Sequence, residues 1–171
     1  MDISTLLLDL FARVDDHVHE AVDGLTRDDL VAVVEPGANP IGWLVWHLTR
    51  VQDHHLAELT GEPQVWVTGD RAARCGLAPD PDNTGYGHTP ADVAAVQPQD
   101  AAALVDYHDA VAARTRAFLG TVTAEDLDRV VDDRWDPPVT MGVRLVSVAD
   151  DDIQHAGQAA FVRGLLDRRR R

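Results

Sequence analysis

Four long stretches of the sequence place apolar residues at steps of three and four, the spacing that puts them on one face of an α-helix. In the first stretch this face contains Ile3, Leu7, Leu10, Val14 and Val18. Glycine, proline and asparagine residues separate the stretches, and no segment alternates apolar and polar residues for long enough to predict a strand. The predicted helices cover residues 3–25, 41–60, 98–119 and 143–166. This pattern predicts an all-α protein built as a four-helix bundle.

The connection between the second and third predicted helices is long and rich in glycine and proline over residues 62–97. A connection of this length is a crossover, which lets the third helix start from either end of the bundle. The length of 171 residues fits one domain, so residues 1–171 are predicted to form a single bundle domain. The four arginines at 168–171 are predicted to be a disordered tail.

The composition excludes several classes of function. The net charge of −14 repels phosphate backbones, so no nucleic-acid partner is expected. No apolar run reaches the 18 or more residues of a membrane span and no signal region opens the chain, which predicts a cytoplasmic protein without a membrane partner. The sequence has no lysine and one cysteine, Cys75, which excludes lysine Schiff-base chemistry, the lysine-containing phosphate loop and an intramolecular disulfide.

Three polar residues occupy helix positions from which they can share one metal ion. His47 interrupts the apolar stripe of the second predicted helix, where a buried or half-exposed histidine without a ligand role is the alternative. Asp151 and His155 are four apart on the last predicted helix, about 40° around its axis and roughly 6 Å along it. The pair can bind an ion if it faces inward and is an ordinary surface pair if it faces outward. Three such donors leave coordination positions open, as in catalytic divalent-metal sites.

Other polar residues lie near these candidate ligands in the sequence. His54 follows His47 by two turns, about 10 Å along the axis, which is too far for both to bind one ion. Gln158 is one turn beyond the last ligand and could orient a water or a substrate. His88, on the crossover, either covers the site or is exposed. The candidates for a supporting or substrate-binding role are Asp53, His54, His55, His88 and Gln158.

Two segments carry a family resemblance: Ile-Gly-Trp-Leu-Val-Trp-His-Leu-Thr-Arg-Val-Gln-Asp-His-His at 41–55, and residues 135–159, which include Asp-Asp-Asp-Ile-Gln-His. Together they resemble the DinB-like superfamily of metal-binding four-helix bundles. The likeness is closest to its actinobacterial branch, which is related to mycothiol-dependent transferases and maleylpyruvate isomerase, and it spans nearly the whole chain. The segments Gly-Glu-Pro-Gln-Val-Trp at 61–66 and Gly-Tyr-Gly-His at 85–88 are also similar to that branch.

The resemblance implies a ligand set. In this superfamily a histidine of the second helix binds the metal together with a histidine or glutamate and a second histidine four residues later on the last helix. These positions fall on His47, Asp151 and His155. Asp151 departs from the pattern because aspartate is one methylene shorter than glutamate. Asp152 is an alternative ligand, although it lies about 100° around the helix from Asp151.

The resemblance also implies an activity, the transfer of a low-molecular-weight thiol. A divalent ion, zinc or nickel, would lower the pKa of the thiol of mycothiol, the implied co-substrate, so that the thiolate can attack an electrophile. Cys75 is not required as a nucleophile in such a reaction, and the branch makes a homodimer plausible. A carboxylate of the thiol or substrate could be held by Arg50, Arg144 or Arg163, among which spacing does not choose.

Two other functions fit the same residues. The first is a non-catalytic metal-binding or stress-response bundle, which the presence of Asp151 in place of glutamate or histidine favours. The second is metal-dependent hydrolysis, with Asp152 or a nearby histidine as the general base.

Overall fold

The computed structural model describes residues 2–170 and is mostly helical, as the sequence predicts. Its α-helices are α1 (Ile3–Val22), α2 (Arg27–Leu30), α3 (Ile41–Thr60), α4 (Arg71–Arg74), α5 (Pro90–Ala95), α6 (Ala101–Leu119) and α7 (Met141–Arg169). Single 3-10 turns cover Val65–Val67 and Asp126–Asp128, and two short strands are β1 (Val130–Asp132) and β2 (Val139–Thr140).

The ends of the long helices follow their capping residues. The Asp2 carboxylate accepts a hydrogen bond from the Thr5 amide and caps the start of α1. Asp100 caps α6 in the same way, so this helix begins at Ala101, three residues after the predicted start. Thr140 caps α7, so this helix begins two residues before the predicted start. Gly61 ends α3 in the left-handed conformation, with φ of 74°.

The four long helices form the body of the protein. Helix α3 packs most extensively against α7 and also contacts α6, while α1 packs against both α6 and α7. Side chains from these helices and from the crossover form the main hydrophobic core, which includes the fully buried Trp46 and Trp66. At about 25 cal/mol per Å² of apolar surface, burial of each indole contributes on the order of 4 kcal/mol. None of the helices within residues 2–170 combines the length and the apolar character that a membrane span requires.

Two features differ from the sequence expectation. Strands β1 and β2 pair in antiparallel register, with Val130 opposite Thr140, and bring the chain to the start of α7. They were missed because they have three and two residues, too few for a periodic pattern. The structure continues α7 to Arg169 where a disordered tail is predicted, and Arg170 forms an ion pair with Asp29. Arg171 lies outside the described residues.

A buried ion pair on α3 fixes the crossover. The Asp53 carboxylate accepts hydrogen bonds from the backbone amides of Val65 (2.9 Å) and Trp66 (2.8 Å). The Arg50 guanidinium lies 3.5 Å from Asp53 and donates to the carbonyl oxygens of Asn83 (3.0 Å) and Pro81 (2.9 Å). Both side chains are almost completely buried, so these contacts replace water for each charge. The segment at residues 81–88 is thereby held against the first half of α3.

Candidate metal centre

Helices α3 and α7 bring His47, Asp151 and His155 together. One ligand atom from each lies within 4.8 Å of the other two. The Asp151 carboxylate is central, with Oδ2 at 3.9 Å from His47 Nε2 and Oδ1 at 3.6 Å from His155 Nε2. Ligand atoms of a tetrahedral zinc site lie roughly 3.4 Å apart, given bonds of about 2.0–2.2 Å. The two carboxylate–imidazole distances, each measured to a different Asp151 oxygen, exceed this spacing by a few tenths of an ångström.

The crossover orients the His47 imidazole. Its Nδ1 lies 2.6 Å from the Thr84 carbonyl oxygen, which can only accept, so Nδ1 carries the proton and Nε2 keeps its lone pair. The backbone passes close here at Gly85, which has φ of +94°, and a Cβ at this position would lie 2.6 Å from His47 Nδ1. The ring also stacks on Trp43, with centroids 4.6 Å apart.

The His155 imidazole is oriented in an equivalent way by its own helix. Its Nδ1 lies 3.0 Å from Gln158 Oε1, so Nδ1–H donates to the amide oxygen and Nε2 faces Asp151. Gln158, one of the predicted supporting residues, therefore orients the candidate ligand His155 through this hydrogen bond. Metal-binding histidines generally donate their second ring N–H to an oxygen in this manner.

The electrostatics of the site suit a cation. Asp151 Oδ2 is buried and makes no hydrogen bond among the described residues, so a carboxylate lone pair is left for another partner. Burial lowers the pKa of His47 from its ordinary value, an effect that outweighs the Thr84 hydrogen bond and the Asp151 charge, which raise it. The imidazole is therefore neutral at pH 7, the form that binds a metal. The three residues fit a divalent ion.

Three other predicted candidates lie outside this group. Asp152 is completely buried, neither carboxylate oxygen makes a hydrogen bond among the described residues, and burial raises its pKa well above the ordinary value. Asp53 holds the crossover, as described above, and does not support a ligand. His88 accepts a hydrogen bond from Trp43 Nε1 at 3.1 Å and pairs with Asn83 Oδ1 at 2.8 Å, so both its ring nitrogens are engaged. It covers Trp43 and Trp46 rather than the ligand atoms.

A cavity of about 350 Å³ opens beside two of the candidate ligands, His47 and Asp151, and its size suits a small molecule. His47 and Asp151 line one part of it and His54 and His55 another. The remaining wall is formed by Val51, Asp82, Thr84, Tyr86, Ser147 and Val148. Of the predicted supporting residues, His54 and His55 thus face the same space as His47 and Asp151.

Sequence reasoning missed Trp43, Thr84 and Gly85, although their contacts decide the orientation of His47. Thr84 acts through its backbone carbonyl, which any residue type provides, so its identity gives no signal. The glycine carries a signal that was usable, since glycine is the residue expected where backbone passes close to a side chain with positive φ.

The fold and the site define a mostly helical protein with a candidate divalent-metal centre between two of its longest helices. The chain belongs to the mycothiol-S-transferase family, whose model matches residues 6–168, and this match confirms the superfamily resemblance seen in the sequence. A crystal structure of a conserved protein from Enterococcus faecalis is similar, with a TM-score of 0.86 and 29% sequence identity over 95% of this chain and 96% of that one. No curated protein matches the chain.

Proposed function

We propose that this protein transfers a low-molecular-weight thiol, mycothiol, to an electrophilic small molecule, with zinc or nickel bound by His47, Asp151 and His155. The family membership supports thiol transfer. One observation carries the metal centre: both imidazoles donate Nδ1–H to an oxygen and direct Nε2 toward the same carboxylate. The proposal includes a DinB-like four-helix bundle, a cytoplasmic location and a homodimer.

The protein's own residues prepare the site for this chemistry. His47 and His155 are oriented with Nε2 toward the site, and the Asp151 carboxylate would partly neutralise the charge of a divalent ion. Such an ion supplies the positive charge that lowers the pKa of a thiol toward neutrality. The adjoining cavity provides room for the reacting ends of the thiol and the electrophile. The thiol loses its proton, and its sulfur bonds to the electrophilic carbon as that carbon releases a leaving group or the π electrons of a double bond.

The single cysteine does not fit the role of nucleophile. Cys75 is completely buried in the core, and burial raises the pKa of its thiol to about 12. A thiol with this pKa is almost fully protonated at pH 7 and reacts slowly. The reacting sulfur therefore has to come from a separate small molecule, in agreement with the proposed co-substrate.

The structure weakens the hydrolase alternative. Asp152, one of its suggested bases, is completely buried. Within residues 2–170, neither of its carboxylate oxygens makes a hydrogen bond, so none connects it to the candidate ligands. His88 uses both ring nitrogens in contacts with Trp43 and Asn83, so it has no free lone pair for a water. A non-catalytic metal-binding protein would need the same three ligands, and only turnover distinguishes it from a transferase.

The test combines metal analysis with a turnover assay. Purified protein should contain about one zinc or nickel ion per chain and conjugate mycothiol to a chromogenic electrophile. His47→Ala, Asp151→Ala and His155→Ala should each lose both properties, while the matched exposed-histidine control His17→Ala should keep them. Metal without turnover would select the binding protein, turnover without a thiol would select the hydrolase, and no metal after supplementation would refute the centre.

A further inference from the structure

A second group of polar side chains lies near the end of α3. Ligand atoms of His54, His55 and Glu58 are all within 4.8 Å of one another, which also suits a metal ion. The two histidines line the cavity that reaches the candidate metal centre. Their hydrogen bonds decide which ligand the group can take.

Neither imidazole has a lone pair available to this group. Gln64 Nε2 lies 3.2 Å from His54 Nδ1 and 3.2 Å from the Pro81 carbonyl oxygen, so it is the amide NH2 and donates to both. The Arg144 guanidinium, which cannot accept a hydrogen bond, lies 3.4 Å from His55 Nε2 and donates to it. The remaining nitrogens, His54 Nε2 and His55 Nδ1, carry protons. They are donors, which suits an anion and not a metal.

The protein already places a carboxylate against these two donors. His55 Nδ1–H donates to Glu58 Oε2 at 2.8 Å, and His54 Nε2 lies 3.6 Å from Glu58 Oε1, beyond hydrogen-bond length. The Glu58 side chain is 44% exposed and can swing into water. Partial burial raises the pKa of Glu58, but the His55 hydrogen bond and the nearby His55, His54 and Arg144 lower it overall, so the carboxylate form is favoured.

We propose that His54 and His55 form a carboxylate subsite of the active site, and that Glu58 occupies it until a substrate carboxylate displaces it. The inference rests on the proposed function, because it assigns the far part of the same cavity to substrate binding. His47 and His54 are seven residues apart on α3, so the bound carboxylate would lie about 10 Å from the metal centre, on the same side of the helix.

Charge favours exchange over simple addition. The cavity wall also carries Asp82 and Asp151, and the whole chain has a net charge of −14, so an extra anion would be repelled. A substrate carboxylate that takes the place of Glu58 leaves the charge beside the two imidazoles unchanged. Arg144, held by Asp132 at 3.2 Å, continues to polarise His55 in both states.

The probe for this subsite is acetate, titrated into metal-loaded protein while the imidazole resonances are followed by NMR. Glu58→Ala vacates the subsite and should bind acetate at least tenfold more tightly than the unchanged protein, with shifts at His54 and His55. Adding His55→Ala to Glu58→Ala should abolish this gain, whereas adding the exposed-histidine control His17→Ala should preserve it. Circular dichroism checks that each variant is folded.

A His47→Ala background separates this inference from the proposed function. Acetate shifts at His54 and His55 that persist in Glu58→Ala combined with His47→Ala show a carboxylate subsite that is independent of the metal, even if no transferase activity is found. The subsite is refuted if Glu58→Ala binds acetate no more tightly than the unchanged protein. It is equally refuted if the shifts appear only at His47 and His155.

Discussion

Replacement of Gly85 by alanine tests whether the crossover controls the metal centre. The new Cβ would lie 2.6 Å from His47 Nδ1 and 2.9 Å from Trp46 Cζ3, closer than real Cβ atoms approach other heavy atoms. Since Trp46 is fully buried and cannot move aside, either the loop or the His47 ring must shift. Both movements break the 2.6 Å hydrogen bond from His47 to the Thr84 carbonyl.

The size of the effect follows from two contributions. An alanine with positive φ costs about 1–2 kcal/mol of stability, whatever the space around it. Loss of the oxygen partner of a metal-binding histidine typically weakens metal affinity 10- to 100-fold, or about 1.4–2.8 kcal/mol. Gly85→Ala should therefore lower both the Tm and the zinc affinity of the protein.

Gly87 provides a matched control two residues away. It also has positive φ, +73°, but a Cβ there meets no atom within 4 Å. Gly87→Ala should show the backbone cost without the loss of zinc affinity, measured by competition with a chromogenic chelator. Equal zinc affinities for the two variants would refute the argument that contact with the loop orients His47.

Three further predictions concern residues outside the ligand set. Asp53→Asn should lower the free energy of unfolding by about 3 kcal/mol, because the buried Arg50 loses its counter-charge. Urea titration measures this change, and an unchanged unfolding midpoint would contradict it. Burial lowers the pKa of His55 from 6.5, so at acidic pH the folded state binds fewer protons than the unfolded state. The Tm should therefore fall as the pH drops below about 6.5, and it should fall less steeply in His55→Asn. Cys75→Ala should keep thiol-transfer activity, and loss of turnover in a folded variant would restore Cys75 as a candidate nucleophile.

Local sequence signals predict the positions of the long helices, and they locate a helix end well where a strong stop residue stands there. The bounds of α3 agree with the prediction because Pro40 and Gly61 stand at its ends and interrupt any longer helix. The predicted start of α6 was early because Pro98 was included, while the actual cap is Asp100, whose side chain accepts from the Ala103 amide. Capping residues decide such ends, and a hydrophobic pattern alone does not locate them.

The site shows the same division between local and long-range information. Asp151 and His155 could be paired from helix spacing, since both belong to one helix. Their meeting with His47 depends on the packing of α3 against α7, which helix spacing alone does not specify and which the predicted bundle and the family resemblance both indicate. Asp53 is a predicted supporting residue, and the structure places its carboxylate against the backbone amides of Val65 and Trp66. Six residues turn a helix by about 600°, which leaves Asp53 roughly 120° away from the face of His47.

The aspartate at position 151 is the departure that most favoured a protein without catalysis, and the structure gives a physical reason why it need not prevent metal binding. A shorter side chain reaches an ion only if its helix lies close to the other ligands. Here the Asp151 oxygens already lie 3.6 Å and 3.9 Å from the two Nε2 atoms, near the spacing of a bound set. The 3.6 Å contact with His155 lies within α7, and the packing of α3 against α7 brings His47 Nε2 to 3.9 Å from the same carboxylate. The shorter side chain therefore still lies beside both imidazoles, which supports the proposed metal centre.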